Sequence, residues 1–171
     1  MSLSRGRSPQ LSFKLDGAPP ELDSRWHDGA EVAFLGGSLR LVLDTRHKDA
    51  LREGDTLDLP LPPQASPRQI QDRAEAWLRE EARRCLQRII EQKLCEAAPC
   101  PPEIPRRAPR LALSFAARGH WVEVQDGNTL RCNWRLIEQP LDVIEQAIAR
   151  AIATLPPQDR GSDLFGGPPG T

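Results

Sequence analysis

Apolar residues alternate with polar or small ones at Val32 and Phe34, and again at Leu39, Leu41 and Leu43. A period of two belongs to a strand with one buried face. Gly36-Gly37 lies between the two runs. Two glycines accept the positive φ of a tight turn, so the pattern predicts a hairpin. Thr56-Leu57-Asp58-Leu59-Pro60-Leu61 alternates again and stops at Pro62-Pro63. Upstream, only Leu11-Ser12-Phe13-Lys14-Leu15 reads as a strand, within a polar stretch broken by Gly17, Pro19, Pro20 and Gly29.

The period then changes to that of a helix. Ile70, Ala74, Trp77, Leu78, Ala82, Cys85, Leu86, Ile89, Ile90 and Leu94 recur at three- and four-residue spacing. Ser66 suits the N-cap, Pro67 the first helical position, and Gln69 completes a capping box. The opposite face carries Arg73, Glu80, Arg84, Gln87 and Glu91. A solvated face is its simplest reading, and a partner-binding face the alternative. Five prolines from Pro99 to Pro109 then preclude helix and central strand. Arg106, Arg107 and Arg110 cluster there, read as a solvated linker rather than a phosphate contact.

Leu111-Ala112-Leu113-Ser114-Phe115 alternates as a strand. Trp121–Gln125 and Thr129–Trp134 flank the turn residues Asp126-Gly127-Asn128, a second predicted hairpin. Gln139-Pro140 opens a second helix with the apolar stripe Leu141, Ile144, Ala147, Ile148, Ala151, Ile152 and Leu155, ended by Pro156-Pro157. The expectation is an α+β domain over residues 31–155, with a small antiparallel or mixed sheet, one long helix and a second packed helix. Residues 1–30 form a flexible segment and residues 156–171 a disordered, Gly- and Pro-rich tail.

Composition narrows the function classes. The chain has 171 residues and 23 basic against 24 acidic side chains, so no bulk charge draws it to nucleic acid or membrane. No apolar run approaches the ~20 residues of a membrane span, and no secretory signal follows Met1. A cytoplasmic protein is expected. Cys85, Cys95, Cys100 and Cys132 lack the paired spacing of a zinc site and read as incidental thiols. His27, His47 and His120 are isolated in sequence. His47, between Arg46 and Lys48, reads as an exposed loop residue, and His120 as a strand-start residue. No phosphate-binding glycine loop is present. Of the tryptophans, Trp77 and Trp134 occupy core positions.

Several landmarks occur in a telling order: Phe34-Leu35-Gly36 before Leu39-Arg40-Leu41, then Ala76-Trp77-Leu78-Arg79-Glu80-Glu81-Ala82, then Asn133-Trp134-Arg135-Leu136-Ile137 with Pro140 and Val143-Ile144. From about Val32 to Leu155 the chain resembles the YgjP-like metallopeptidase family, relatives of the SprT-type zincins. The resemblance implies a zincin-like scaffold, a zinc cofactor and peptide hydrolysis. It also implies an H-E-x-x-H on the helix that follows Val143-Ile144. There the chain has Arg150, Ala151 and Thr154 in place of the first histidine, the general-base glutamate and the second histidine. The family's third histidine falls near Arg160 or Gly161, where Ser162 and Phe165 echo its motif without a histidine. Its Trp-Gly-Ser-Cys turn is Trp121-Val122-Glu123-Val124, a plain strand.

No catalytic residue and no metal ligand therefore carries over. The expectation is a catalytically inactive relative that binds a protein partner or small anionic ligand, without a cofactor, through Arg135, Arg150 and Thr154. A repurposed metal-dependent hydrolase is the first alternative. A nucleic-acid-associated protein, by fold analogy alone, is the second.

Overall fold

The computed structural model describes residues 25–97 and 108–156. Its first sheet begins with strands β1 (Glu31–Phe34) and β2 (Gly37–Leu43), paired antiparallel. Phe34 pairs with Gly37, so Leu35-Gly36 makes the turn, one residue earlier than the two glycines predict. Both turn residues have positive φ, 48° at Leu35 and 78° at Gly36. A leucine there costs about 1–2 kcal/mol. Tertiary contacts hold it: Leu35 N–H donates to Ile137 O at 2.7 Å, and Gly36 N–H to Glu138 O at 3.4 Å. The hairpin tip is thus docked on the segment that leads into the second helix.

Strand β3 (Leu51–Glu53) and strand β4 (Thr56–Leu59) complete the sheet in the order β1-β2-β4-β3, with β2 and β4 parallel. One face supplies Val32, Phe34, Leu39, Leu41, Leu57 and Leu59 to the core, which also takes Trp26 and Ala30 from the segment before β1.

Helix α1 (Pro67–Ala97) starts as its cap residues direct. Gln69 N–H donates to Ser66 Oγ, and Ser66 N–H donates back to Gln69 Oε1 at 2.9 Å. The helix buries Ile70, Ala74, Leu78, Ala82, Leu86, Ile89 and Ile90. Trp77 reaches the first sheet, its ring 5.6 Å from that of Phe34. Near its end, Lys93 binds Glu96 at 2.9 Å and Glu145 of the second helix at 3.0 Å. Those two hydrogen-bonded carboxylates raise the pKa of the Lys93 ammonium.

The second sheet contains β5 (Arg110–Ser114), β6 (Val122–Gln125) and β7 (Thr129–Asn133), in the order β5-β7-β6. β5 and β7 are parallel, β6 and β7 antiparallel. Trp134 leaves the strand and opens a 3₁₀ turn, Trp134–Glu138, that buries Trp134, Leu136 and Ile137. Helix α2 (Leu141–Ala153) follows Pro140 and buries Ile144 and Ile148. The α+β class is as the pattern predicts, with two small mixed sheets in place of one. The Leu11–Leu15 strand, Cys100, Arg106, Arg107 and the segment from Pro157 onward lie outside the described residues.

Candidate functional site

The resemblance directs attention to the last turn of α2. Arg150 is exposed there and, among the described residues, forms no ion pair. Ala151 is half-buried and offers only a methyl group. Thr154 ends the helix: its backbone N–H donates to Ala151 O at 3.1 Å, and its hydroxyl donates to the same oxygen at 2.7 Å. Zinc takes neutral imidazoles, thiolates or carboxylates. A guanidinium repels the ion, a methyl group cannot ligate it, and this hydroxyl is engaged with the backbone. The residues present on this turn do not fit zinc.

Arg135 stands at the other end of α2. Its Nη1 lies 3.3 Å from Glu138 Oε1, and its guanidinium packs 5.2 Å from the Trp134 ring centroid. Arg150 is nine residues into α2, so about 13 Å of helix axis separates the two ends. The structure does not bring Arg135 to Arg150. None of Arg135, Arg150 and Thr154 lines the cavity on the second sheet or the groove along the first hairpin.

The histidines occupy separate places. His27 Nδ1 sits 2.8 Å from Asp28 O. His47 approaches Asp44 and Asp58, one ligand atom from each lying within 4.8 Å of the others. A cation there would meet a competitor in place. Arg46 donates Nε to Asp44 Oδ2 at 2.8 Å and its backbone N–H to Oδ1 at 2.9 Å. Those hydrogen bonds hold the Asp44 carboxyl down to a pKa of about 2. Asp44 in this trio is an arginine-neutralised loop anchor. The Cys85 and Cys132 thiols do not suit metal or nucleophilic chemistry either. Cys132 is wholly buried and burial pushes it up to about 12. Burial also raises Cys85.

The polar feature that sequence reasoning missed is Asn133, the one buried polar residue among those described. Its Nδ2 donates to Ala116 O at 3.1 Å, its backbone N–H donates to Trp121 O at 2.8 Å, and its Oδ1 accepts from Arg135 N–H at 3.0 Å. One residue thereby fastens both ends of the loop between β5 and β6, its side chain at Ala116 and its backbone at Trp121, and its side chain caps the 3₁₀ turn. Such an asparagine is costly to bury unless every bond is made. The sequence carried the signal in Asn133-Trp134-Arg135, where it served only as a landmark.

That loop rims a cavity of about 150 Å³ on the outer face of the second sheet, lined by Ser114, Arg118, His120, Glu123 and Arg131. Strand parity explains the lining. Leu111, Leu113, Val122, Val124, Leu130 and Cys132 face inward, so Glu123 and Arg131, paired across β6 and β7, face out. Trp121, beside them, is 48% exposed. At the edge of the core, Arg79 packs between Phe115 and Trp134, 5.5 and 5.2 Å from the ring centroids, and pairs with Glu75 at 2.6 Å. Its buried Nε has no hydrogen-bond partner among the described residues. The π faces and Glu75 satisfy that cation. A larger open groove of about 560 Å³ lies along the first hairpin, where Arg40 and Arg52 are balanced by Glu31 and Asp55.

Comparison with known proteins agrees with the landmarks. No curated protein and no solved structure matches the chain. The family model described as YgjP-like, metallopeptidase domain, matches residues 12–149 and stops one residue short of Arg150. None of the described helices is long and apolar enough to cross a membrane. On that match, together with the α+β architecture, the chain belongs to the YgjP-like metallopeptidase-domain family.

Proposed function

We propose that this member of the family acts by binding rather than hydrolysis, and that its target is a small anion or an acidic segment of a partner protein. The last turn of α2 carries the proposal. It has a cationic Arg150, a methyl group at Ala151 and an engaged hydroxyl at Thr154 where the resemblance puts two metal-binding imidazoles and a general base. Hydrolysis by a metal-bound water needs ligands and a base at that spacing. Arg150 is exposed and free of any carboxylate among the described residues, so its charge is available to a ligand.

Elemental analysis of chain purified without added metal, alongside peptide-cleavage assays with and without EDTA, tests the reading. The expected result is no stoichiometric zinc and no EDTA-sensitive cleavage. Zinc retained through dialysis, together with cleavage abolished by EDTA, overturns it.

A further inference from the structure

Arginines near the second sheet fall into two groups. Arg79 and Arg135 are engaged: each has a carboxylate partner and an aromatic ring against its guanidinium. Arg118 and Arg131 are not. Among the described residues neither has a carboxylate oxygen within the 4.0 Å of an ion pair, although Glu123 is the cross-strand partner of Arg131. Both arginines line one cavity with His120 and Ser114. Ser114 Oγ accepts from Ala116 N–H at 3.4 Å, which leaves the hydroxyl proton free to donate. The cavity is therefore rich in donors, and its two guanidiniums outnumber its single carboxylate.

We propose that this cavity is an oxyanion site, and that its ligand is of the phosphate class, either free phosphate or a phosphomonoester. This rests on the reading of the chain as an anion binder and moves the binding centre from α2 to the outer face of the second sheet. Three further features support it. The volume of about 150 Å³ equals roughly five water molecules, enough for one tetrahedral oxyanion with part of its hydration shell. Guanidiniums bind such anions through paired N–H···O contacts, and do so more strongly than neutral donors. Asn133 ties Ala116 and Trp121, so the loop carrying Arg118 and His120 is anchored at both ends before a ligand arrives. Preorganisation of that kind lowers the ordering cost of binding. Glu123 sets the selectivity, since it disfavours a fully ionised anion and accepts from one that keeps a hydroxyl or a proton.

The test is a titration of the full chain with inorganic phosphate and with phosphoserine, followed by NMR or calorimetry at constant ionic strength with chloride as the control. Variants Arg131→Gln, Arg118→Gln, Glu123→Gln and Arg150→Gln are compared, all at exposed positions, with circular dichroism confirming their fold. The expected result is phosphate binding weakened about fivefold or more by each of Arg131→Gln and Arg118→Gln. Glu123→Gln should strengthen it, and Arg150→Gln should weaken it less than either cavity arginine substitution does. Tighter binding of phosphoserine than of phosphate assigns a phosphomonoester, and the reverse assigns the free ion. Either order supports the site. Phosphate binding lost only in Arg150→Gln overturns this inference and leaves the anion-binding reading standing at α2. No phosphate response in the unsubstituted chain overturns the inference and removes the small-anion part of that reading as well.

Discussion

Ile148 and Arg150 stand two residues apart on α2 and are opposites. Ile148 is fully buried, on the face of α2 that also buries Ile144. The tip of the first hairpin hydrogen-bonds the segment that enters α2, and Lys93 of α1 reaches Glu145. Arg150 faces solvent and, among the described residues, forms no ion pair. The match to the family model ends between them, at residue 149. In this scaffold, the positions that fix the shape are the ones that many neighbours constrain. In the turn that holds chemistry in the resemblance, Arg150 and Thr154 face solvent while Ala151 and Ile152 still pack against the core. Arginine, alanine and threonine are accommodated there without disturbing the core.

The largest expected effect lies on the constrained side. Ile148→Ala removes a wholly buried side chain from between α2 and the core and should cost about 3 kcal/mol in urea unfolding. Arg150→Ala should change stability by less than about 0.5 kcal/mol in the same experiment. Equal effects at the two positions would erase the contrast.

Next is the hairpin tip. A Cβ on Gly36 would stand 2.9 Å from Pro140 Cα, and Gly36 has a φ of 78°. Gly36→Ala therefore adds strain at positive φ and pushes the tip away from the start of α2. A loss of about 2 kcal/mol in thermal or urea unfolding is expected. Gly37→Ala meets no atom closer than Phe34 O at 3.6 Å and should cost much less. Comparable losses at both glycines would mean that the docking onto Pro140 contributes nothing.

Those two glycines also mark where sequence reading stops. The capping box of Ser66 and Gln69, the buried stripe of α1 and the hairpin around Gly127 are all written in local order, and all are present. The turn at Leu35-Gly36 is not local. Leucine rarely adopts positive φ, and tertiary contacts hold the turn there: Leu35 to Ile137 and the core, Gly36 to Glu138. β3 is equally silent, because Leu51, Arg52 and Glu53 are all exposed and so leave no alternation to read. The parallel pairing of β2 with β4 depends on tertiary packing. Of the candidate site, Arg150 and Thr154 were legible as departures from a motif. Arg118, Glu123 and Arg131 were not, since no motif contains them and a strand pairing brings Glu123 and Arg131 together. An exposed, opposed pair on a predicted hairpin was the available signal.

Asn133 tests whether the second sheet obeys the same rule. Its side chain makes two of the three bonds around it, so Asn133→Ala leaves Ala116 O and Arg135 N–H without partners. A loss of about 1–2 kcal/mol is expected. Amide hydrogen exchange should quicken between β5 and β6 more than in the first sheet. Faster exchange in both sheets alike would make Asn133 a general core residue rather than a local clasp.

The most direct test of the contrast rebuilds the motif. The triple substitution Arg150→His, Ala151→Glu and Thr154→His places two imidazoles on one face of α2, four residues apart, with a carboxylate next to the first. Arg150 and Thr154 are exposed and Ala151 is half-buried against the core, so Ala151→Glu carries most of the cost and the metal-free variant should unfold within about 2 kcal/mol of the original chain. If the scaffold still presents that turn to solvent as an open half-site, zinc at ten times its dissociation constant should add about 1.4 kcal/mol of stability. The original chain should show no such response at the same concentration. A variant that folds normally yet ignores zinc would mean that this turn has moved as well as changed its residues. The boundary between kept framework and altered chemistry would then lie earlier in α2 than Arg150.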